Sequence, residues 1–115
     1  MNNAMLDISR ESLKRVELVQ VSGRVDSSNA GELDQALKDI MNDGRHNIVL
    51  DLSGVNYMSS AGLRALIAAL RESKKHRGDV RIATPSERVS EVLSLAGVDS
   101  LFQVYDSRAA AVGSF

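Results

Sequence analysis

Two adjacent serines, Ser59 and Ser60, are the side chains of this sequence whose position best suits chemistry. They stand between a strand-like apolar run and a helix-like apolar stripe, so they occupy a strand-to-helix turn. A serine at such a turn acts as the nucleophile in some hydrolases, carries an anionic group, or only caps the helix. In the last case Ser60 would bond the amide of Gly62 or Leu63, which contributes about 1 kcal/mol to stability.

The spacing around the serines disfavours a hydrolase. A nucleophile elbow reads Gly-x-Ser-x-Gly, and the stretch from Met58 to Gly62 lacks the first glycine. A catalytic triad also needs a histidine beside the serine. His46 precedes the central strand, at its opposite end from the serines, and His76 follows the helix about 24 Å from its start. We therefore expect this chain not to be an enzyme.

Composition disfavours several other classes of function. Cysteine is absent, and the two isolated histidines have no spacing typical of metal ligands, so we expect solvated histidines, no metal and no cofactor. The formal net charge is −1 and aromatic residues make up 3% of the chain. Neither a positive field nor stacking platforms therefore favour nucleic acid. Glycine-rich motifs for nucleotide phosphates are missing from the sequence.

Length and hydropathy predict one soluble domain. The 115 residues, of which 43% are hydrophobic, suffice for a single aliphatic core, and we assign residues 1–115 to one domain. No apolar run reaches the length of a membrane span, and residues 1–7 lack the basic-then-apolar pattern of a signal peptide. We expect a cytoplasmic protein without membrane association.

A buried strand and an amphipathic helix position the serines. Ile48–Leu50 is an unbroken apolar run, typical of a strand covered on both faces. After Ala61, apolar residues recur at the spacing i, i+3, i+4 and i+7, which is the stripe of a core-facing helix. These residues are Leu63, Leu66, Ile67 and Leu70.

The preceding part of the chain predicts a β-hairpin and a helix. Leu6–Ile8 and Lys14–Ser22 are strand candidates separated by a polar turn, and short neighbouring strands pair most easily as an antiparallel hairpin. Asn29 precedes Glu32 by three residues, the pattern of a helix N-cap with a reciprocal acid. Gly44 is the expected left-handed residue after this helix.

The following part predicts two further strands and two further helices. Val80–Ala83 reads as a short strand, and the sequence from Thr84 to Glu87 predicts a helix start with a threonine cap and a proline in the first turn. Gly97 closes this helix. Leu101–Val104 is a last strand candidate, and Asp106–Val112 is an optional terminal helix.

The order of elements predicts an α/β fold. Strands alternate with helices after the hairpin, which implies parallel strands joined by right-handed crossovers. We expect a mixed, mostly parallel sheet of four or five strands with an N-terminal β-hairpin, packed with four helices. An exposed edge strand could pair two copies, so we expect a monomer or a weak homodimer.

Polar residues cluster where two predicted strands end. Asp26 and Ser27 follow one strand, and Ser59 and Ser60 follow the next; sites in open α/β sheets lie at the carboxyl ends of strands. Ala61 and Gly62 lack side-chain bulk, which would let the backbone of another protein approach closely. These residues, together with the nearby Arg64, form the predicted partner-binding surface.

The stretch from Leu50 to Leu66 resembles the signature of the STAS domain, the family of bacterial anti-sigma-factor antagonists, and Gly23–Asp26 resembles the turn that precedes its first helix. The resemblance implies partner switching. The unphosphorylated antagonist binds an anti-sigma factor that is a serine kinase, phosphorylation at the position of Ser60 releases it, and a PP2C-type serine phosphatase resets it. Asp26 matches an acidic position near the phosphorylated serine.

Two positions depart from the pattern of the family. Many antagonists have aspartate where this chain has Ser59, and serine or threonine where it has Ala61. Neither change removes the acceptor, and Ser59 becomes a possible secondary acceptor. Three alternatives stay open at this point: a module switched by phosphorylation, an unphosphorylated STAS scaffold subunit of a signalling or lipid-transport assembly, and an enzyme.

Overall fold

The computed structural model describes residues 6–115 of the chain; residues 1–5, which are part of the segment compared with a signal pattern, lie outside the described residues. Strands and helices alternate after an initial pair of strands. Five strands and four helices are found within residues 6–115: β1 Asp7–Ser12, β2 Glu17–Val25, α1 Ala30–Asn42, β3 Asn47–Met58, α2 Ser60–Lys75, β4 Asp79–Ala83, α3 Glu87–Leu95, β5 Val104–Tyr105 and α4 Arg108–Gly113.

The strands form one mixed sheet in the order β1-β2-β3-β4-β5. β1 and β2 are antiparallel, and every other neighbouring pair is parallel. The predicted α/β fold with an N-terminal hairpin and four helices is therefore confirmed. Because β3 lies at the centre of the sheet, the turn that follows it, with its two serines, leaves from the middle of the sheet edge.

Alternation along β3 divides the core between the two faces of the sheet. Ile48, Leu50 and Leu52 face the larger cluster, which α1, α2 and α3 cover. Val49 faces a smaller cluster on the opposite side, which includes Ala111 of α4. Burial on both faces explains why this strand reads as a continuous apolar run.

A buried carboxylate fastens α4 to the sheet. Asp51 is 2% exposed, and it accepts hydrogen bonds from Arg108 at the start of α4, from Thr84, and from the backbone amide of Ser53. Burial alone would raise the pKa of Asp51, but the hydrogen bonds from Ser53, Arg108 and Thr84 together outweigh it and hold the pKa below its ordinary value.

The predicted threonine cap of the third helix is wrong for a related reason. The Thr84 hydroxyl donates to Asp51, and the residue has a positive φ of 46°. The cap is Ser86, whose hydroxyl accepts from the amide of Val89 at 3.1 Å, and α3 begins one residue later. The contact with Asp51 and the left-handed backbone thus leave Thr84 outside the first turn of α3, and Ser86 is the cap instead.

Several strand boundaries and one cap also differ from the predictions. β3 continues beyond the predicted Ile48–Leu50 as far as Met58. β1 continues to Ser12 through six paired positions, so the polar residues predicted as a turn extend the hairpin instead. β2 runs from Glu17 to Val25, later than predicted. β5 consists of Val104 and Tyr105 alone, because only these two residues reach β4. Asn29 precedes α1 without capping it through its side chain.

None of the helices within residues 6–115 combines the length and apolar character that crossing a membrane would need.

Candidate functional site

Pairing between β2 and β3 brings the two predicted polar turns together. Val25 and Met58 are partners at the carboxyl ends of these parallel strands. The amide of Ser59 then donates to the carbonyl of Val25 at 2.9 Å. The turn that contains Asp26 therefore lies next to the turn that contains the two serines, as the sequence predicted for the carboxyl ends of parallel strands.

The two serines have different roles in the first turn of α2. Ser59 is the N-cap: its hydroxyl accepts from the amide of Gly62 at 3.2 Å, and its carbonyl accepts from the amide of Leu63 at 3.0 Å. Ser60 is the first residue of the helix, and its side chain is exposed. The interpretation of Ser60 as the capping residue is wrong, because its neighbour fills that role.

Gly62 faces the interior of the protein and does not open the surface to a partner. A Cβ at this position would lie 2.6 Å from Val25 Cγ1 and 2.6 Å from Met58 Sδ, so the missing side chain lets α2 pack closely on the ends of β2 and β3. The expectation that Gly62 makes room for another protein is therefore wrong. Ala61 is half-buried and packs against the core.

Asp26 is held as an anion in the adjoining turn. Its carboxylate accepts from the hydroxyl of Ser28 at 2.6 Å and from the amide of Ser28 at 2.9 Å, and Arg24 lies 3.4 Å away. The hydrogen bonds from Ser28, assisted by the charge of Arg24, lower the pKa of Asp26. A negative charge therefore stands next to the start of α2 at neutral pH.

Asn29 fixes the shape of this turn, a role that the sequence did not reveal. Its side-chain oxygen accepts from the amide of Asp26 at 2.9 Å, and its side-chain nitrogen donates to the carbonyl of Arg24 at 2.8 Å. The residue is 7% exposed. An asparagine before a helix suggests a cap, and only its burial beneath the turn reveals this bracing function.

A shallow groove between α1 and α2 extends from this site. Ser27 and Arg64, both exposed, lie along it. Gly31 and Asp34 line it from α1, and Ala61 and Ala68 line it from α2. The structure therefore gathers the predicted residues Asp26, Ser27, Ser59, Ser60, Ala61 and Arg64 at one end of the molecule, whereas Gly62 lies beneath that surface.

The two histidines lie at the ends of β3 and α2 that are farther from the serines. His46 precedes β3 and His76 follows α2, as predicted, and their rings stack with centroids 4.0 Å apart. His46 is therefore half-buried and packed against a neighbour, in contrast to the solvated residue that we expected. Within residues 6–115 no group of three potential ligands is arranged to hold a metal ion.

The comparison with protein families agrees with this architecture. The profile of the STAS domain matches residues 7–111, which cover all five strands and most of α4. This chain belongs to the STAS domain family. The BtrV protein of Bordetella bronchiseptica, named as an anti-sigma factor antagonist, is similar to this STAS domain. It is 29% identical over 110 residues, which are 96% of this chain and 95% of that protein.

Solved structures share the fold over nearly the whole chain. An anti-sigma factor antagonist from Mycobacterium paratuberculosis superimposes with a TM-score of 0.88 at 26% identity, covering 98% of this chain and 96% of that chain. The Bacillus cell fate determinant SpoIIAA in its phosphorylated form gives a TM-score of 0.75 at 15% identity, covering 94% and 98% of the two chains. The latter likeness concerns the fold alone.

Proposed function

We propose that this STAS domain is an anti-sigma-factor antagonist that binds a kinase-type anti-sigma factor through the surface around Ser60. Phosphorylation of Ser60 then releases the partner, and a PP2C-type serine phosphatase restores the binding form. The relatives named as anti-sigma factor antagonists align over almost their full length, so the role attributed to them concerns a domain of the same extent. The finer assignment, to Ser60 and to phosphorylation, depends on the geometry of the site.

The observation that carries the assignment is the division of labour between the two serines. The hydroxyl of Ser59 is committed to the amide of Gly62, whereas Ser60 is exposed on the first turn of α2. A kinase therefore reaches Ser60 without breaking a hydrogen bond that the fold needs. Transfer to Ser59 would sacrifice the cap, which makes Ser60 the preferred acceptor.

The start of α2 suits a phosphoryl group once it is attached. Ser59 takes the amides of Gly62 and Leu63, which leaves the amides of Ser60 and Ala61, within the described residues, available to phosphate oxygens. The positive end of the helix dipole also favours a negative charge at this position. We therefore expect the fold to survive phosphorylation.

Release follows from the charge and the bulk of the same group. Phosphorylation adds about −1.5 to −2 charges at neutral pH, beside the carboxylate of Asp26. A partner packed over Ser60 and the half-buried Ala61 would have to desolvate this dianion and make room for it. A difference in affinity of about 5- to 150-fold between the two forms is typical of such coupling and would be sufficient for a switch.

The test combines phosphorylation with binding. The chain is incubated with ATP and a kinase-type anti-sigma factor encoded next to its gene, and intact mass with fragment analysis locates any phosphoryl group. We expect one group, on Ser60, and at least about tenfold weaker binding of the phosphorylated form and of Ser60→Asp. Ser60→Ala keeps the partner but is not modified.

Ser59→Ala is the matched control, because it removes a neighbouring hydroxyl without removing the proposed acceptor. It should be phosphorylated and released like the wild type. Equal retention of the partner by Ser60→Ala and by Ser60→Asp would refute the switching proposal. Stable binding with no phosphoryl transfer would instead favour the alternative of an unphosphorylated scaffold subunit in a signalling or lipid-transport assembly.

A further inference from the structure

Arg64 stands one helical turn after Ser60 on the same side of α2. Residues four apart on a helix have Cβ atoms about 5–6 Å apart, and helical side chains lean toward the N-terminus of their helix. The guanidinium of Arg64 can therefore reach the side chain of Ser60. An acidic group placed N-terminal to a basic one at this spacing is the more favourable order.

The ion pairs of its neighbours leave Arg64 without a carboxylate partner in the part of the chain that the structure describes. Asp26 pairs with Arg24 at 3.4 Å, and Asp34, across the groove, pairs with Lys38 at 2.8 Å. Arg64 itself forms no salt bridge within residues 6–115, and its side chain is exposed at the edge of the groove between α1 and α2. Arg64 is thus a cation close to the proposed acceptor serine, and no acidic group of the described fold pairs with it.

We infer that Arg64 is the internal receptor for the phosphoryl group on Ser60, and that this pairing draws its guanidinium from the edge of the groove to the start of α2. The inference rests on the proposed function. Two of the donors of a guanidinium match two phosphate oxygens, which makes the pair both charge-assisted and geometrically defined. Arg64 is a positioning residue in this account, because it acts on the modified serine and not on the transfer step.

The pairing gives phosphorylation a second effect on the docking surface. In the unmodified chain, the edge of the groove beside Ala61 and Ala68 carries the positive charge of Arg64. In the phosphorylated chain this charge is neutralised by a group one turn away, and the groove loses its cation. A partner that contacts both Ser60 and the groove is therefore opposed at two points by a single modification.

Arg24 is a second cation near the site, and its side chain already makes two contacts. Its guanidinium lies over the ring of Tyr57, 4.0 Å from the centroid, in addition to its contact with Asp26. Recruiting Arg24 to a phosphoryl group would break both contacts. Among the described residues Arg64 has neither an aromatic nor an acidic partner to give up, and this difference decides between the two arginines.

The test uses the full chain with phosphoserine incorporated at position 60 during synthesis, so that it requires no kinase. The ³¹P resonance is followed as a function of pH in the wild-type background and in Arg64→Gln. Pairing favours the dianion, so the second phosphate pKa should be lower in the wild type than in Arg64→Gln, by about 0.3 unit for a pair at this spacing. Arg64→Lys should restore part of the difference.

Two further variants make the outcome decisive. Arg71→Gln removes an equal charge from the exposed face of α2, about three turns from Ser60, and should titrate like the wild type. Identical titration of wild type and Arg64→Gln, or a shift found in Arg24→Gln instead, would overturn the assignment to Arg64. Neither result touches the proposed function, which fails separately if the kinase-type anti-sigma factor neither binds nor modifies Ser60.

Discussion

The two ends of the parallel strands differ in how tightly they are packed. We call them the amino edge and the carboxyl edge of the sheet. At the amino edge, where β3 begins and α2 ends, backbone meets backbone: the amide of Asp79 donates to the carbonyl of His46 at 3.0 Å. A Cβ on Gly78 would lie only 2.0 Å from that carbonyl oxygen. At the carboxyl edge, where β3 ends and α2 begins, Ser60 presents an exposed hydroxyl that no capping bond engages.

The carboxylates of the two edges show the same contrast. Glu17, at the amino edge, has a fully buried side chain that contacts Arg10 and Arg45 and accepts a hydrogen bond from Ser12 at 2.8 Å. Asp26, at the carboxyl edge, stands in an open turn and is held mainly by Ser28. One carboxylate is enclosed by its partners, and the other remains accessible to another molecule.

This difference supports the proposed function, in which the amino edge stabilises the fold and the carboxyl edge binds a partner. A phosphoryl group at the amino edge would have to displace packed backbone. At the carboxyl edge it would meet solvent, the first amides of a helix and the neighbouring Arg64. The predictions below test this contrast through stability, because a tightly packed edge should tolerate change much less than an edge that we propose to bind a partner.

The largest effect is expected at Gly78. In Gly78→Ala the added methyl overlaps the His46 carbonyl, which cannot move without disturbing the start of β3, so we expect a loss of about 3 kcal/mol in the free energy of unfolding. Gly31→Ala is the matched control: no atom of residues 6–115 lies within 4 Å of its Cβ position, and a helical alanine should gain about 0.5 kcal/mol. Urea denaturation measures both, and a stable Gly78→Ala would contradict the packed edge.

The second effect concerns Glu17 and pH. Burial would raise the pKa of Glu17, but hydrogen bonds from Ser12 and Arg10 and the nearby positive charges outweigh it and lower the pKa. A carboxylate with a lowered folded-state pKa stabilises the protein fully above its unfolded pKa, about 4.3, and loses that contribution as the pH falls through the folded-state value. Stability should therefore decline in acid.

Glu17→Gln tests the origin of this decline. Removing the buried charge from its arginine partners should cost about 2 kcal/mol at neutral pH, and the remaining stability should depend less on pH between about 5 and 3. Asp26→Asn, at the carboxyl edge, should have a smaller effect on the stability at neutral pH and on its dependence on pH. Solvent screens the interaction of Asp26 with Arg24. Equal effects of the two substitutions on chemical denaturation would remove the contrast between the edges.

The smallest effects distinguish the two serines. Ser59→Ala removes the cap of α2 and should cost about 1 kcal/mol, whereas Ser60→Ala should change stability by less than about 0.5 kcal/mol. Thermal denaturation of the wild type and the two variants in the same buffer measures this difference in stability. If Ser60→Ala proved the more damaging, the hydroxyl that we assign to phosphorylation would be a structural one.

Local pattern was sufficient for the outline of the fold and for the region of the site. The stripe of α2, the buried run of β3 and the left-handed glycines at Gly44 and Gly97, with φ of 81° and 73°, follow from periodicity and turn chemistry. The meeting of Asp26 with the serines was also predictable, because parallel strands place their carboxyl ends together.

The sequence pattern failed to predict the N-cap residue where two residues of similar capping propensity lie close together. Ser59 and Ser60 are both acceptable caps, as are Thr84 and Ser86, and the choice depends on where the tertiary structure places each residue relative to the first turn of its helix. Thr84 donates to Asp51 of another strand and has a positive φ of 46°, whereas Ser86 caps α3 while also donating to the carbonyl of Val55.

The sequence by itself determined the family, the order of elements and the presence at the start of α2 of the serine that we propose as the acceptor, because these depend on neighbours along the chain. Only the tertiary structure decided that Ser59 caps the helix, that Gly62 faces inward, and that Arg64 has no acidic partner in the described fold. The physical reason is that burial and ion pairing are properties of groups brought together from separate elements, and residue type alone does not specify them.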